Sequence, residues 1–286
     1  MAGRLDVVAT PIGNLGDLSA RARDALAAAE LIAAEDTRRT GQLLNAIGVS
    51  AKLISLHDYN ELSRIEALVQ QLQSGKVIAL VSDAGTPLLS DPGFALVRAA
   101  AAAGIEVRAI PGPSALTAAL SIAGLATDRF AFDGFLPARQ GERRAMLERL
   151  CNESRTLVFF EAPHRIAATL ADLAQIFGGE RRAVVARELT KLHETIYRGT
   201  LSELRELADN NVDMARGEIT LMIEGAAKEA ENGGDHELLA RALQLLLQEL
   251  PPARAAAIAA QLAGCKRSDA YQLAVRMRPE VHGKNE

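Results

Sequence analysis

The chain contains 286 residues, of which 49% are hydrophobic and 24% charged, as in ordinary soluble globular proteins, and this length is sufficient for two domains. A net charge of −4 argues against a protein that coats nucleic acid non-specifically, although it allows a local basic surface. An aromatic content of 3%, with no Trp, argues against an aromatic platform for stacking bases.

Cysteine usage and the N-terminus indicate the compartment. Cys151 and Cys265 lie far apart and outside any C-x-x-C pattern, so neither a disulfide framework nor a metal site is indicated. The chain starts without an apolar signal region, and no apolar run is long enough to span a membrane. We therefore expect a cytoplasmic protein that binds neither membrane nor metal.

Residues 1–112 alternate between short apolar runs and helix-like segments. The runs predict strands at 5–9, 31–34, 53–56, 77–81 and 105–110, separated by helices at 19–30, 36–47, 62–73 and 92–103. Asp91 is expected to cap the last helix, with Pro92 as its first residue. Such alternation is typical of a largely parallel sheet with crossover helices.

Each predicted strand of this first domain ends in a loop rich in small or polar residues. The clearest is SDAGTP at 82–87, which follows the apolar run at 77–81. Ligands of open α/β sheets bind at the carboxyl ends of the strands. We expect one crevice at this edge, lined by Asp17, Glu35, Asp36, His57, Asp83, Thr86 and Ser114.

The stiff sequence Pro111-Gly112-Pro113 predicts a domain boundary, and residues 113–227 predict a second α/β domain. Its closely spaced strands, at 130–132, 156–160, 183–186, 195–197 and 218–223, favour a mixed sheet. After a polar linker, residues 235–280 predict a helical extension with a helix-turn-helix. Its basic end (Lys266, Arg267, Arg276 and Arg278) is a candidate RNA contact; the alternative is a helical cap with solvated charges.

Several common sites are not supported by the sequence. It lacks a P-loop and a G-x-S-x-G motif, its Gly13–Gly16 turn is a poor dinucleotide fingerprint, and its histidines lack zinc-site spacing. Small-residue loops with a carboxylate suit a ligand with an amino-acid end and ribose hydroxyls, which describes S-adenosylmethionine as well as a nucleotide.

Seven motifs in order identify a family resemblance: ATPIGNLGDLS, AEDTR, SDAGTPLLSDPG, IPGPSALTAAL, FDGFLP, FFEAPHR and ARELTKLHE. Together they resemble the tetrapyrrole methylase superfamily of S-adenosylmethionine-dependent methyltransferases, and within it the branch that acts on ribosomal RNA. The loop SDAGTP replaces the GDP-type run of corrin-ring methylases, which favours that branch. The resemblance implies two α/β domains with the cofactor between them, a homodimer, and 2′-O-methylation of a cytidine in the decoding region of 16S rRNA, free or in the small ribosomal subunit.

Carried over position by position, the resemblance implies a set of cofactor contacts from both domains. These are Ile12, Asp83, Thr86, Pro87, Ser114, Ala115, Glu161, Leu189 and Thr220.

The 2′-hydroxyl is a weak nucleophile, so a base or electrostatic stabiliser is expected beside it. Candidates on strand-end loops are Glu35, Asp36, His164 and, as the preferred catalytic set, Glu188, Glu161, Lys191 and His193. Glu188 is the first choice because the flanking Arg187 and Lys191 would keep it ionised. Candidate phosphate contacts are Arg38, Arg165 and Arg187, with Lys266 and Arg267 in the extension. For each, a structural salt bridge or helix cap is the alternative.

Two other functions remain open from the sequence. One is methylation of a small tetrapyrrole-type ring, which would proceed without RNA. The other is a non-catalytic RNA-binding or assembly factor that retains the fold and does not bind S-adenosylmethionine.

Overall fold

The computed structural model of the protein describes residues 3–57, 60–227 and 236–277. The chain divides into two compact units, Met1–Ala226 and Ala227–Glu286. Within the described ranges, no helix combines the length and the apolar character needed to cross a membrane.

The first sheet consists of five parallel strands in the order β3-β2-β4-β1-β5. Its strands are β1 (Arg4–Val8), β2 (Leu31–Ala34), β3 (Leu53–Ser55), β4 (Val77–Val81) and β5 (Glu106–Ile110). Its crossover helices are α1 (Ala20–Ala28), α2 (Thr37–Ala46), α3 (Glu61–Gln73) and α4 (Phe94–Ala102).

Helices cover both faces of this sheet, which explains its apolar strands. Leu26 of α1 and Leu44 of α2 belong to one buried cluster, and Leu72 of α3 and Leu96 of α4 belong to the cluster on the other face. Ser19, at the start of the predicted helix 19–30, caps α1 by accepting a hydrogen bond from Ala22 N at 3.1 Å.

The second sheet is mixed, as predicted, with the order β6-β7-β10-β8-β9. Only β6 and β7 pair in parallel, whereas β10 is antiparallel to both of its neighbours. Its strands are β6 (Phe130–Phe135), β7 (Thr156–Glu161), β8 (Arg182–Arg187), β9 (Thr195–Thr200) and β10 (Ile219–Ile223). The accompanying helices are α5 (Ala115–Ala123), α6 (Gln140–Leu150), α7 (Ile166–Phe177) and α8 (Leu201–Asn210).

The two sheets are joined through a buried cluster beneath α5. Leu116 and Leu120 of α5 pack there with Val158 and Val184 of the second sheet. Ile12, from the loop after β1, belongs to the same cluster. The loops at the carboxyl edge of the first sheet are thereby held against the second sheet.

The C-terminal unit contains α9 (His236–Leu246), α10 (Pro252–Ala263) and α11 (Arg267–Arg276). Small side chains let these helices approach closely: Ala256, Ala259, Ala270 and Ala274 are fully buried in its core. Gly264, with φ of 66°, ends α10 in the left-handed conformation that favours glycine. The predicted helical extension is confirmed; Arg278, one of its expected basic residues, lies outside the described residues.

The predicted start of α4 is wrong. The helix begins at Phe94 with Gly93 as N-cap, at φ of 118°, so Asp91 and Pro92 lie in the preceding loop. A Cβ on Gly93 would lie 2.7 Å from Leu80 Cδ2, so a larger residue in this turn would displace the side chain of Leu80 on β4, and the positive φ also favours glycine. The β4–α4 loop (residues 82–93) is therefore longer than its sequence predicts.

Candidate active site

A cavity of about 450 Å³, here called the central cavity, lies between the two sheets. From the first sheet's side it is lined by Ile12, Glu35, Arg39, Asp83, Ala84, Gly85, Thr86, Leu89, Ser90, Asp91, Ser114 and Ala115. From the second sheet's side it is lined by Phe135, Phe160, Glu161, Ala162, Pro163, Ala186, Leu189, Gly217, Glu218, Ile219 and Thr220. Its size falls in the range of about 300–1,000 Å³ that is usual for small-molecule sites.

Eight of the nine positions expected to contact a cofactor line this cavity: Ile12, Asp83, Thr86, Ser114, Ala115, Glu161, Leu189 and Thr220. Pro87, the ninth, follows Thr86 directly but is not among the described lining residues. Of the expected crevice residues, Glu35 lines the central cavity and Asp17 a neighbouring groove. The ring of His57 is hydrogen-bonded to Asn60, with 3.0 Å between His57 Nε2 and Asn60 Nδ2.

The ends of β2 and β4 are tied together by reciprocal hydrogen bonds. Asp36 N donates to Asp83 Oδ1 at 2.9 Å, and Asp83 N donates to Glu35 Oε2 at 3.2 Å. Arg39 Nη1 lies 3.4 Å from Asp83 Oδ2. Because these contacts fix the backbone on both strands, the carboxylate of Asp83 has a defined position at the cavity wall.

The β4–α4 loop is also anchored to the two loops beside it. Gly85 and Thr10 form a backbone bridge, with N···O distances of 2.9 and 3.0 Å, and Thr86 Oγ1 donates to Pro113 O at 3.1 Å. Gly85 has φ of 83°, and a Cβ there would lie 3.2 Å from Ile12 Cγ2. Glycine is therefore needed both for the backbone conformation and for the approach to Ile12.

Backbone strain among the described residues is concentrated at this cavity. Their four non-glycine residues with positive φ are Leu88 and Ser90 in the β4–α4 loop and Glu188 and Thr190 in the β8–β9 loop (residues 188–194). Strained backbone tends to be retained at functional sites. The two loops flank the central cavity through Ser90 and Leu189.

Glu188 and Lys191 form a charged cluster with Glu218 in this region. Lys191 Nζ lies 2.8 Å from Glu188 Oε1 and 3.1 Å from Glu218 Oε2, and Glu218 N donates to Glu188 Oε1 at 2.9 Å. Burial raises the pKa of Glu188, but its hydrogen bonds and the charges of Lys191 and Arg187 lower the pKa by more. The net pKa is below the usual value, so the group is held ionised. Burial lowers the pKa of Lys191, yet the two carboxylates raise it above its usual value.

Glu161 occupies a different environment from the one expected of a base. Its Oε1 accepts hydrogen bonds from Ala162 N at 2.6 Å and Arg165 Nε at 2.8 Å, and its Oε2 accepts one from Thr169 Oγ1 at 2.6 Å. The carboxylate is fully buried. Both carboxylate oxygens of Glu161 therefore accept hydrogen bonds from the protein, and Arg165 is paired with this carboxylate.

The arginines expected to contact phosphate differ in availability. Arg187 is buried, and its guanidinium donates to Arg216 O at 2.8 Å and His193 O at 3.1 Å, which links two neighbouring loops. Arg38 is exposed but paired with Asp36 at 2.9 Å, which lowers the pKa of Asp36 to about 2. Lys266 and Arg267 are exposed at the start of α11, and His193 is exposed in the β8–β9 loop.

Arg39, Gly217 and Glu218 are among the cavity residues that were not anticipated from the sequence. Arg39 adjoins Arg38 in the first turn of α2, and that turn faces the ends of β2 and β4. Gly217 and Glu218 precede β10, whose antiparallel direction brings its amino end beside the carboxyl ends of β7 and β8. Because Gly217 and Glu218 lie at the amino end of a strand, the rule that ligands bind at the carboxyl ends of parallel strands does not predict them.

Two family models match the chain. The model described as Tetrapyrrole (Corrin/Porphyrin) Methylases matches residues 4–205, and the model described as RsmI C-terminal HTH domain matches residues 233–278. A protein of Xylella fastidiosa named ribosomal RNA small subunit methyltransferase I is 52% identical over 269 residues, or 94% of this chain and 98% of that relative. Proteins of the same name from Pseudomonas aeruginosa and Escherichia coli O157:H7 are 49% and 46% identical, each over 96% of this chain and over 98% and 96% of their own lengths.

Solved structures share the fold at low sequence identity. A uroporphyrin-III-C-methyltransferase from Thermus thermophilus has a TM-score of 0.52 at 20% identity, covering 78% of this chain and 94% of its own. The methyltransferase CobJ has a TM-score of 0.58 at 21% identity, covering 79% and 95%. These likenesses extend to the fold alone.

Proposed function

We propose that this chain, which belongs to the tetrapyrrole methylase family and groups there with the ribosomal RNA small subunit methyltransferases I, uses S-adenosylmethionine to methylate the 2′-hydroxyl of a cytidine in the decoding region of 16S rRNA. The observation that carries the proposal is the central cavity, which gathers eight of the nine expected cofactor positions from two distant parts of the chain. In this proposal the substrate is 16S rRNA or the small ribosomal subunit. The protein acts in the cytoplasm as a homodimer.

The chemistry of the cavity suits this cofactor. S-adenosylmethionine carries an ammonium, a sulfonium and ribose hydroxyls, which carboxylates such as Asp83 can bind, and a carboxylate, which Arg39 can pair with. Phe135, Leu189 and Ile219 provide an apolar wall for the adenine. Gly85 allows close approach to the backbone. Among the described residues, no three His, Cys, Asp or Glu side chains form a group able to hold a metal ion.

Methyl transfer to a ribose is an in-line displacement. The C–O bond forms as the C–S bond breaks, which yields S-adenosylhomocysteine, a 2′-O-methyl ribose and one proton. The protein's main contribution is to align the 2′-oxygen with the methyl group. The oxygen becomes strongly acidic as it acquires the methyl group, so even a weakly basic carboxylate can accept its proton.

Glu188 is our proposed proton acceptor. Its lowered pKa keeps it as the carboxylate needed for that role. The pKa of Lys191 is raised, so its ammonium stays charged. Lys191 therefore stabilises the ionised form of Glu188 instead of acting as a base. His193 remains a second candidate on the same loop. Glu161, saturated by its neighbours, is assigned to positioning.

Label transfer tests the proposal. Purified protein incubated with methyl-tritiated S-adenosylmethionine and small ribosomal subunits lacking the modification should label the 16S rRNA, whereas a tetrapyrrole offered without RNA should remain unlabelled. Labelling of the tetrapyrrole alone would favour the small-ring methylase. Calorimetry that detects no S-adenosylmethionine binding would favour the non-catalytic factor. Sedimentation of the protein as a monomer would contradict the homodimer.

A further inference from the structure

A second concavity, here called the side groove, adjoins the central cavity and encloses about 410 Å³. It is lined by Ile12, Asp17, Gly112, Pro113, Ser114, Thr117, Ala118, Ser121 and Thr190. Ile12 and Ser114 line both spaces, so a ligand in the groove lies next to a ligand in the cavity. The groove therefore has the location required of an acceptor site.

The lining of the side groove selects against a phosphate. Its described lining residues include no Lys, Arg or His, and their one charged member is Asp17. An anion would thus meet a carboxylate with no cation to offset it. The phosphates of a bound strand must lie outside the groove.

The hydroxyls in the groove favour a ligand rich in hydrogen-bond donors. Thr117 Oγ1 donates to Ser114 O at 3.3 Å, and Ser121 Oγ donates to Ala118 O at 2.8 Å. Because both hydroxyl protons are donated to backbone carbonyls, the hydroxyl oxygens remain available to the groove as acceptors. The carboxylate of Asp17 is a further acceptor. Sugar hydroxyls and the exocyclic amine of a base are matching donors.

Thr190 contributes to the groove from the second sheet's side. Its Oγ1 is buried without a hydrogen-bond partner, and its φ of 65° is unusual for a β-branched residue. Buried hydroxyls are nearly always satisfied, so an orphan of this kind calls for an explanation. Because Thr190 lines the side groove, a ligand bound there would lie beside this unpartnered hydroxyl.

From these observations we infer that the side groove binds the target nucleoside of the RNA and that Thr190 is a substrate-binding residue. The ribose lies at the junction with the central cavity, and the base extends along α5 toward Ser121. This inference rests on the proposed function, since it places the acceptor of that methyl transfer.

Thr190→Val tests the inference because valine keeps the β-branched shape and loses the hydroxyl. We expect KM for small ribosomal subunits to rise about tenfold, as for one lost hydrogen bond, with an unchanged Kd for S-adenosylmethionine. Thr190→Ser should restore most of the affinity. Thr127→Val, the same change at an exposed position that lines neither the central cavity nor the side groove, should leave both constants at wild-type values.

A second variant tests the groove itself. Thr117 is exposed on α5 and lines the groove, so Thr117→Phe should obstruct it without disturbing the core. We expect loss of methylation with retained cofactor binding, whereas Ala67→Phe, at an exposed position of α3, should be silent.

Unchanged KM in both Thr190→Val and Thr117→Phe would overturn the inference while leaving the proposed function intact, provided that the unmodified protein methylates the subunit. Loss of cofactor binding in Thr117→Phe would also overturn it, because the groove would then belong to the cofactor site. Failure of the unmodified protein to methylate RNA would refute the proposed function, and the inference with it.

Discussion

The backbone N–H of Asp36 donates a 2.9 Å hydrogen bond to the carboxylate of Asp83, and this bond joins the carboxyl ends of two neighbouring strands. Asp83 returns a hydrogen bond from its own N–H to Glu35, so the connection runs in both directions. The same carboxylate lines the central cavity and has Arg39 3.4 Å from its second oxygen. Asp83 therefore supports the edge of the sheet and also supplies charge to the site.

Replacing Asp83 should separate these two roles. Asp83→Ala removes the acceptor for Asp36 N–H and the charge, so we expect a loss of about 1–3 kcal/mol in the free energy of unfolding and at least a tenfold weaker cofactor affinity. Asp83→Asn keeps an acceptor oxygen, and it should recover stability but not cofactor affinity. Calorimetry and denaturant unfolding measure the two effects. A loss of RNA binding as large as the loss of cofactor binding would contradict this assignment.

Gly85 is predicted to be irreplaceable because of its surroundings as well as its φ. Gly85→Ala should lower the cofactor affinity, since the new methyl group presses on Ile12, and the positive φ should cost about 1–2 kcal/mol of stability. Gly104→Ala is the matched control: its φ is 69° and no atom lies within 4 Å of the new Cβ. Both variants should be destabilised, but only the first should bind the cofactor more weakly. Equal affinities would show that the contact with Ile12 is unimportant.

The ionised state of Glu188 predicts a pH dependence of stability. Its folded-state pKa lies below the ordinary value of 4.5, because its partners outweigh the effect of burial. The stabilisation is therefore fully present above about pH 4.5 and is lost as the pH falls through the folded-state pKa. The difference in unfolding free energy between the wild type and Glu188→Gln should be constant near neutrality and shrink in acid. A difference that grows toward low pH would contradict the lowered pKa.

The C-terminal unit is predicted to bind RNA through the exposed Lys266 and Arg267. The double variant Lys266→Ala/Arg267→Ala should weaken RNA binding and make its dependence on salt less steep, by about one unit of slope for each lost phosphate contact. Cofactor affinity should not change, and a chain ending at Gly233 should show the same pattern more strongly. Unaltered RNA affinity in both proteins would favour a helical cap with solvated charges.

Local patterns predicted most of the fold because each element of the first sheet is specified by its own segment. Apolar runs mark β1 to β5, and the caps at Ser19 and Asp36 are side-chain chemistry visible in the sequence. The start of α4 could not be predicted in this way. Asp91-Pro92 is a typical helix start, but the packing of Gly93 on Leu80, a contact between distant segments, delays the helix.

The site was harder to predict than the fold because it depends on strand order in the second sheet. β10 inserts between β7 and β8, and its amino end brings Gly217 and Glu218 to the cavity. Arg187 shows the same limit: its sequence neighbours suggest an exposed cation, but its side chain is buried against carbonyls of two other loops. Such pairings are set by tertiary structure. The expected cofactor positions that line the cavity came from the family motifs and not from periodicity.

The most direct test of the account is the position of the transferred methyl group. RNA from small subunits labelled with methyl-tritiated S-adenosylmethionine would be digested to nucleosides, and the labelled nucleoside cleaved at its glycosidic bond. We predict that the label stays with the ribose of a cytidine, and that the adjacent phosphodiester resists alkali because its 2′-oxygen is methylated. Label recovered on the free base would contradict the assigned reaction.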